Sequence, residues 1–138
     1  MFKKTFLIIL IYTLFSSSSI SASFNWTKIN EASDDELDIF YDKKTVFNIG
    51  EYVYFWQLTN YLKDIKDDVH SILAHNIVNC NTYELKLIVY ADFKRPMARG
   101  MVDLEMIIPE QNAELFKWHY FDKNNSIGGP MITEVCNN

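Results

Sequence analysis

The sequence predicts an antiparallel α+β fold with six strands, a short C-terminal helix and one disulfide. The first observation behind this prediction is a hairpin over residues 77–89, in which a polar turn separates two apolar segments. The second is Glu51–Tyr61, an alternating segment that is apolar on both faces. The third is the pair of cysteines, Cys80 in the hairpin and Cys136 near the C-terminus.

Six segments have the composition and alternation of β-strands. They are residues 24–31, 37–41, 51–61, 69–80, 83–93 and 101–108. The third is predicted to be a central strand, because a strand that is apolar on both faces is usually buried on both. Between the second and third segments, a connection is predicted to begin at Asp42 and end at Gly50. Pro96 and Pro109 end the last two segments, since proline has no N–H to donate to a neighbouring strand.

The fifth segment also predicts which side chains share a face of the sheet. Apolar and charged residues alternate along it with the period of two that is typical of a strand. One face is predicted to carry Tyr83, Leu85, Leu87 and Val89, and the other Glu84 and Lys86.

The C-terminal region contains the predicted helix. Gly128, Gly129 and Pro130 precede the apolar segment Met131–Val135, which fits a short helix with proline in its first turn. Lys117–Phe121 is predicted to form a short strand. Residues 112–116 fit either a loop or a single helical turn.

Residues 1–23 have the pattern of a secretory signal peptide. Lys3 and Lys4 precede an apolar run over residues 6–15, and a serine-rich tract follows it. That run is shorter than the roughly 20 residues of a membrane-spanning helix, which argues against the alternative of an uncleaved anchor. We therefore expect cleavage near Ala22 or Ser23, a single domain over residues 24–138, no transmembrane segment after cleavage, and export to the periplasm or the outer cell surface.

The charge of the mature chain excludes some classes of partner. Removal of Lys3 and Lys4 lowers the number of basic residues from 13 to 11 against 18 acidic ones, which leaves a net charge of −7. Nucleic-acid binding requires clustered lysine and arginine, so we expect no nucleic-acid partner. An acidic domain is equally unsuited to binding an anionic membrane by charge.

Two cysteines in an exported protein are most simply explained by one disulfide, here between Cys80 and Cys136. A metal-binding pair and a reactive thiol are the alternatives. Two ligands do not complete a zinc site, and neither cysteine has a CxxC or Cys–His spacing.

Several short motifs occur along the chain in one order, and together they resemble the surface-adhesin protein E family. A tryptophan, Trp26, is followed by a D-x-x-x-V segment, a V-x-x-W-x-L strand, a serine before I-x-N-C, a Met-Ala-Arg-Gly turn and a final Val-Cys pair. The residues that match are Asp42, Val46, Val53, Trp56, Leu58, Ser71, Ile77, Asn79, Cys80, Met97–Gly100, Val135 and Cys136. The resemblance implies a six-stranded antiparallel sheet with short helical cover, a disulfide between Cys80 and Cys136, and adhesion to host matrix proteins.

The sequence contains no convincing catalytic or cofactor-binding pattern. His70 and His75 are five residues apart and would point to opposite faces of a strand, so they cannot share a metal. Ser71 lacks the G-x-S-x-G context of a hydrolase nucleophile. Asp103 and Glu105 would share a strand face, but no apolar environment is evident that would raise the pKa of either. We expect a non-enzymatic protein without a cofactor, and a small hydrolase is the least favoured class.

The candidate partner-binding residues are Lys94, Arg95 and Arg99, the only compact basic group on an acidic chain. They flank a predicted turn, and loops on a rigid sheet often carry binding residues. The alternative is that these charges only solvate the turn. The tryptophans Trp26, Trp56 and Trp118 are expected mainly in the core, although exposed aromatic side chains would instead form a ligand or homodimer face.

Together these observations predict an exported interaction domain that binds a protein partner, with an adhesin-like role. The alternative is a periplasmic structural or accessory subunit that forms homodimers or contacts through a sheet edge.

Overall fold

The structure is a computed structural model that describes residues 23–63, 68–103, 114, 116–124 and 127–138. Most of the described chain is β-strand. The strands are β1 Trp26–Lys28, β2 Leu37–Asp42, β3 Phe47–Ile49, β4 Tyr52–Tyr61, β5 Ser71–Asn79, β6 Glu84–Arg95, β7 Arg99–Asp103 and β8 His119–Tyr120. One α-helix, α1, spans Gly128–Cys136, and short 3-10 turns span Asn30–Ala32 and Lys43–Thr45.

The main sheet is antiparallel and has the strand order β1-β2-β4-β5-β6-β7. Two short strands extend it, since β3 pairs with β4 and β8 pairs with β6. The predicted six-stranded antiparallel sheet and the central position of Glu51–Tyr61 are confirmed. The assignment to the α+β class was only partly correct: within the described residues the protein is mostly sheet, with α1 as its single α-helix.

The connection predicted between Asp42 and Gly50 contains an additional strand, β3, that was not predicted. The Asp42 carboxylate accepts a hydrogen bond from the Lys44 backbone N–H at 3.1 Å, which closes the 3-10 turn and redirects the chain. β3 then pairs with the first part of β4, with Phe47 opposite Tyr54. Gly50 lies in the turn between them at a φ of +60°, a conformation that glycine adopts without strain.

The hydrophobic core lies on the side of the sheet that contacts α1, here called the helix face. Its fully buried members include Tyr41, Phe55, Val78, Ile132 and Val135. The Tyr41 hydroxyl donates a hydrogen bond to the Glu134 carboxylate at 3.0 Å and accepts one from the Asn138 side chain at 2.9 Å. Polar contacts thus join Glu134 and Asn138 to the last part of β2.

The start of α1 lies very close to the segment before it. A Cβ atom added at Gly129 would be 2.3 Å from the backbone oxygen of Lys123, and one added at Gly128 would be 2.0 Å from the Phe121 ring. Both glycines are therefore required by packing rather than by backbone angles. Pro130 lies in the first helical turn, as predicted, and α1 begins two residues before it, at Gly128.

The predicted face of β6 is correct for Leu85 and wrong for Val89. The pairing with β5 shifts between His75 and Asn76, so that Leu87 opposes Asn76 while Val89 opposes His75. Ile88 is the extra residue of this β-bulge. Because one inserted residue reverses the alternation, Val89 points away from the helix face and is 45% exposed.

Two further predictions concern segments that lie partly outside the described residues. The strand predicted over residues 101–108 corresponds to β7 as far as Asp103, and its remainder lies outside the described residues. The signal peptide also lies outside them, apart from residue 23, and stays a prediction. No helix of the described chain is long and apolar enough to cross a membrane.

Candidate functional site

The basic turn consists of Lys94, Arg95 and Arg99 around the three-residue connection Pro96–Ala98. β6 continues through Arg95, two residues beyond its predicted end, and β7 begins at Arg99. Met97 and Ala98 have φ values of +61° and +51°. Such angles are costly for residues with a Cβ atom, at about 1–2 kcal/mol each, so neighbouring groups must stabilise the turn.

Two buried polar residues provide that stabilisation. Asn60 on β4 and Ser71 on β5 are register partners. The Asn60 side-chain oxygen accepts a hydrogen bond from the Met97 backbone N–H at 2.9 Å. The Ser71 hydroxyl accepts one from the Ala98 N–H at 3.1 Å and donates one to the Arg95 carbonyl at 2.7 Å. The central strands therefore fix the conformation of the turn.

The structure brings two of the three predicted basic residues directly together. Arg95 and Arg99 are register partners across β6 and β7, and both are exposed. The stem of Arg95 lies over Gly100, where an added Cβ would be 3.3 Å from the Arg95 Cγ. Arg99 donates from Nε to the Pro96 carbonyl at 3.2 Å. Lys94 is half-buried and lies where the register between β6 and β7 shifts, between Phe93 and Arg95.

Two like charges on directly opposed residues destabilise a strand pair. Within the described part of the chain, no carboxylate forms an ion pair with Arg95 or Arg99. The paired guanidinium groups are therefore available to an external anion. The basic cluster is evident from the sequence alone, whereas the support that Asn60 gives the turn is evident only from the fold.

The disulfide lies at the opposite end of β6. Cys80 and Cys136 are bonded, with their Cα atoms 5.9 Å apart, which confirms the predicted pairing. Asn79 orders the turn beside Cys80, because its side-chain oxygen accepts hydrogen bonds from the backbone N–H groups of Asn81 and Thr82. The bond holds the end of α1 against the β5–β6 turn.

The side of the sheet opposite the helix face carries a series of aromatic contacts and is here called the aromatic face. Trp56 stacks on His75, with ring centroids 4.6 Å apart. Phe24 contacts both Trp26 and Trp56. Trp26 and Trp56 are half-buried and Trp118 is exposed, so the expectation that the tryptophans lie mainly in the core was only partly correct.

A groove of about 410 Å³ opens on this face. Its lining includes residues of β4, β5 and β6 and of the segment before β8. Those that matter here are Tyr54, Ile77, Lys86, Ile88, Phe116 and Trp118. The groove could not be predicted from the sequence, since its walls come from segments far apart in the chain.

Ser71 and His75, the described residues considered for nucleophilic catalysis, do not lie together. Ser71 and His75 are four residues apart on β5, which corresponds to about 13 Å, and the Ser71 hydroxyl bonds to backbone groups. Burial lowers the pKa of His75. Among the described residues, no group of three or more histidine, cysteine, aspartate or glutamate side chains is arranged to hold a metal ion. Glu105 lies outside the described residues.

Comparisons with known proteins identify related sequences and folds. The family described as surface-adhesin protein E matches residues 26–137. The selenomethionine form of Haemophilus influenzae protein E has a similar fold, with a TM-score of 0.56 at 13% identity over 82% of this chain and 86% of that chain. Its crystal form II gives a TM-score of 0.52 at 14% identity, over 72% and 80% of the two chains. No functionally curated protein matches this sequence.

Proposed function

Because this chain belongs to the surface-adhesin protein E family, we propose that it is an exported, non-catalytic binding protein that contacts an acidic partner through its basic turn. The partner is a protein or glycan at the cell surface. This role requires a rigid, accessible binding element rather than a catalytic pocket. The basic turn meets both conditions.

The observation that supports the proposal most directly is the register pairing of Arg95 with Arg99 on a turn that buried side chains hold in place. Guanidinium groups bind carboxylates and sulfates in a planar, bidentate manner. The chain as a whole carries a net charge of −5, so a local positive site gives direction to an approaching anionic partner. Because hydrogen bonds to Asn60 and Ser71 already fix the backbone of the turn, binding does not have to order it, which reduces one part of the entropic cost of association.

The test measures binding to two defined anionic surfaces, immobilised heparin and immobilised poly-L-glutamate. Replacing Lys94, Arg95 and Arg99 together with glutamine should abolish retention on at least one of them. The control replaces Lys43, Lys44 and Lys63 with glutamine, which removes the same charge elsewhere on the domain. Wild-type binding should weaken between ~50 and ~300 mM NaCl, because screening reduces exposed charge interactions.

Two results would contradict the proposal. The first is equal loss of binding in the two triple variants, since net charge alone would then explain retention. The second is unchanged binding in the Lys94/Arg95/Arg99 variant with an unchanged melting temperature. Protease treatment of intact cells tests the location separately, because a periplasmic protein would be protected from cleavage.

One observation favours a second candidate function, that of a periplasmic structural or accessory subunit. β3 pairs only with β4 among the described strands, and its side chains Phe47 and Ile49 are 48% and 58% exposed. Exposed apolar residues on an edge strand promote pairing with another chain. A concentration-dependent dimer in sedimentation experiments, abolished by Ile49→Lys and accompanied by protease protection on intact cells, would favour this function over adhesion.

A further inference from the structure

We propose that the groove on the aromatic face binds an aromatic side chain of a partner polypeptide that carries a carboxylate beside that side chain. This second contact goes beyond the basic turn. Lys86 in the groove and Arg95 in the turn are nine residues apart on β6, a distance of roughly 30 Å. One small side chain therefore cannot occupy both sites.

The floor of the groove is fixed by strand register. Phe47, Tyr54, Ile77 and Lys86 lie in one row across β3, β4, β5 and β6. Register partners on adjacent strands point to the same side of a sheet, so Tyr54, Ile77 and Lys86 form one continuous surface. The β-bulge adds Ile88, which has no partner on β5 and lines the groove next to Lys86.

The wall comes from the segment before β8. Phe116 and Trp118 line the groove there, and the Trp118 ring centroid is 5.7 Å from that of Tyr52. β8 holds this segment on the sheet, because His119 and Tyr120 pair with Leu85 and Glu84 of β6. The wall is therefore attached to the same strand that supplies Lys86.

The chemistry of the lining indicates the ligand. Among the described residues that line the groove, Lys86 is the only charged one, and no described carboxylate pairs with its ammonium group. Its neighbour on the same face, Glu84, accepts a hydrogen bond from the Thr82 hydroxyl at 2.7 Å. The other lining side chains are aromatic or aliphatic. A ring that stacks on Tyr54 or Trp118, with a carboxylate near Lys86, satisfies both features.

The size and surroundings of the groove favour a polypeptide over a free small molecule. A volume of about 410 Å³ is within the range of ligand sites, but apolar surface continues beyond its rim. Phe47, Ile49 and Tyr120 are exposed there, opposite their register partners Tyr54, Tyr52 and Glu84. A contiguous apolar surface of this kind is typical of protein-interaction sites, and a peptide can cover it while one side chain enters the groove.

The experiment uses NMR of the ¹⁵N-labelled mature domain with three pentapeptides that have blocked ends. The aspartate peptide has phenylalanine between two aspartates, and the lysine peptide has phenylalanine between two lysines. The alanine peptide has alanine between two aspartates. We expect the first peptide to shift the amide resonances of Ile77 and Lys86 and the indole resonance of Trp118. The alanine peptide should bind about tenfold more weakly, and the lysine peptide at least about threefold more weakly.

A charge exchange separates recognition from non-specific apolar binding. The Lys86→Glu variant should bind the lysine peptide more tightly than the aspartate peptide, the reverse of the wild-type preference. The matched control Lys44→Glu makes the same charge change on an exposed lysine outside the groove and should still prefer the aspartate peptide. Tyr54→Phe, which keeps the ring, should bind as the parent does.

Several outcomes would overturn the inference. These are equal binding of the aspartate and lysine peptides, an unchanged order in Lys86→Glu, and shifts that map away from the groove. Binding of 3-phenylpropionate as tight as that of the peptide would identify a small molecule as the occupant. A dimer in sedimentation experiments that Trp118→Ser dissociates would identify a second copy of the chain.

Discussion

Ser71 and Ala98 are 27 residues apart in the sequence, and the Ser71 hydroxyl accepts a hydrogen bond from the Ala98 backbone N–H. The same hydroxyl donates to the Arg95 carbonyl. One buried side chain on β5 therefore stabilises both sides of the β6–β7 turn. The geometry of the basic turn depends on a residue that no ligand at Arg95 and Arg99 would have to touch.

Replacement of Ser71 by alanine should destabilise the fold and loosen the turn. The change leaves the Ala98 N–H and the Arg95 carbonyl without this partner. Since each unsatisfied buried group costs about 1–3 kcal/mol, we expect a loss of about 2 kcal/mol in the free energy of unfolding, measured in urea. Thr82→Ala, at an exposed hydroxyl, serves as the control and should change stability by less than about 0.5 kcal/mol. A neutral Ser71→Ala would show that water replaces the hydroxyl.

Loss of the disulfide should reduce stability more than any single hydrogen bond. Cys80 and Cys136 are separated by 56 residues, and closing a loop of that length contributes roughly 4 kcal/mol in the chain-entropy model. Cys80→Ser/Cys136→Ser should therefore have a much lower urea midpoint than the parent under oxidising conditions. In reducing buffer the two proteins should become similar. Two free thiols in the denatured, non-reduced parent would contradict the bond itself.

Gly129→Ala should destabilise the fold more than Gly50→Ala does, although alanine is a better helix former than glycine. A Cβ at Gly129 would lie 2.3 Å from the Lys123 backbone oxygen, whereas a Cβ at Gly50 has nothing within 4 Å. Alanine gains about 1 kcal/mol of helix propensity, so the clash must exceed this gain. We expect Gly129→Ala to lose at least about 2 kcal/mol and Gly50→Ala about 1 kcal/mol from its positive φ. If Gly50→Ala instead had the lower melting temperature of the two variants, α1 would have to be able to move away from residues 122–123.

The stability of the aromatic face should decrease on acidification through His75. Burial lowers the pKa of His75 in the folded protein, so between that value and the ordinary one of about 6.5 the unfolded chain binds more protons. Stability then rises with pH across this interval. The free energy of unfolding, measured between about pH 7 and about pH 5, should show this loss in the parent protein. His75→Gln should remove the part of the loss that comes from His75. An NMR-measured pKa at or above the ordinary value would instead indicate that imidazolium stacking on Trp56 dominates.

The sequence was sufficient to predict features that depend on local patterns. The apolar alternation in Glu51–Tyr61 predicted a central strand, and the two cysteines predicted the one disulfide. β3 was missed because Phe47–Ile49 is too short to show periodicity between a polar turn and Gly50. Val89 was assigned to the wrong face because the β-bulge at Ile88 depends on packing between β5 and β6, which the alternation of one strand does not reveal.

The basic turn and the groove also differ in how far the sequence alone predicts them. Lys94, Arg95 and Arg99 were found because they form a basic cluster in the sequence, and whether they bind a partner stays a prediction. Their support by Asn60 and Ser71 could not be predicted, since both act from other strands. The groove was missed for a similar reason: Ile77, Lys86 and Trp118 meet only after β5, β6 and β8 are aligned.

The disulfide also determines how the folded domain would respond to mechanical tension. A force applied between residues 24 and 138 would pass from Cys80 directly to Cys136, and β6, β7, β8 and α1 would lie outside the loaded path. The 56-residue separation corresponds to roughly 190 Å of extended chain that tension cannot release while the bond is intact. Both Lys86 and the Arg95–Arg99 pair lie within that protected segment, so a partner bound there would remain held by unloaded strands after β1 and β2 had been pulled away.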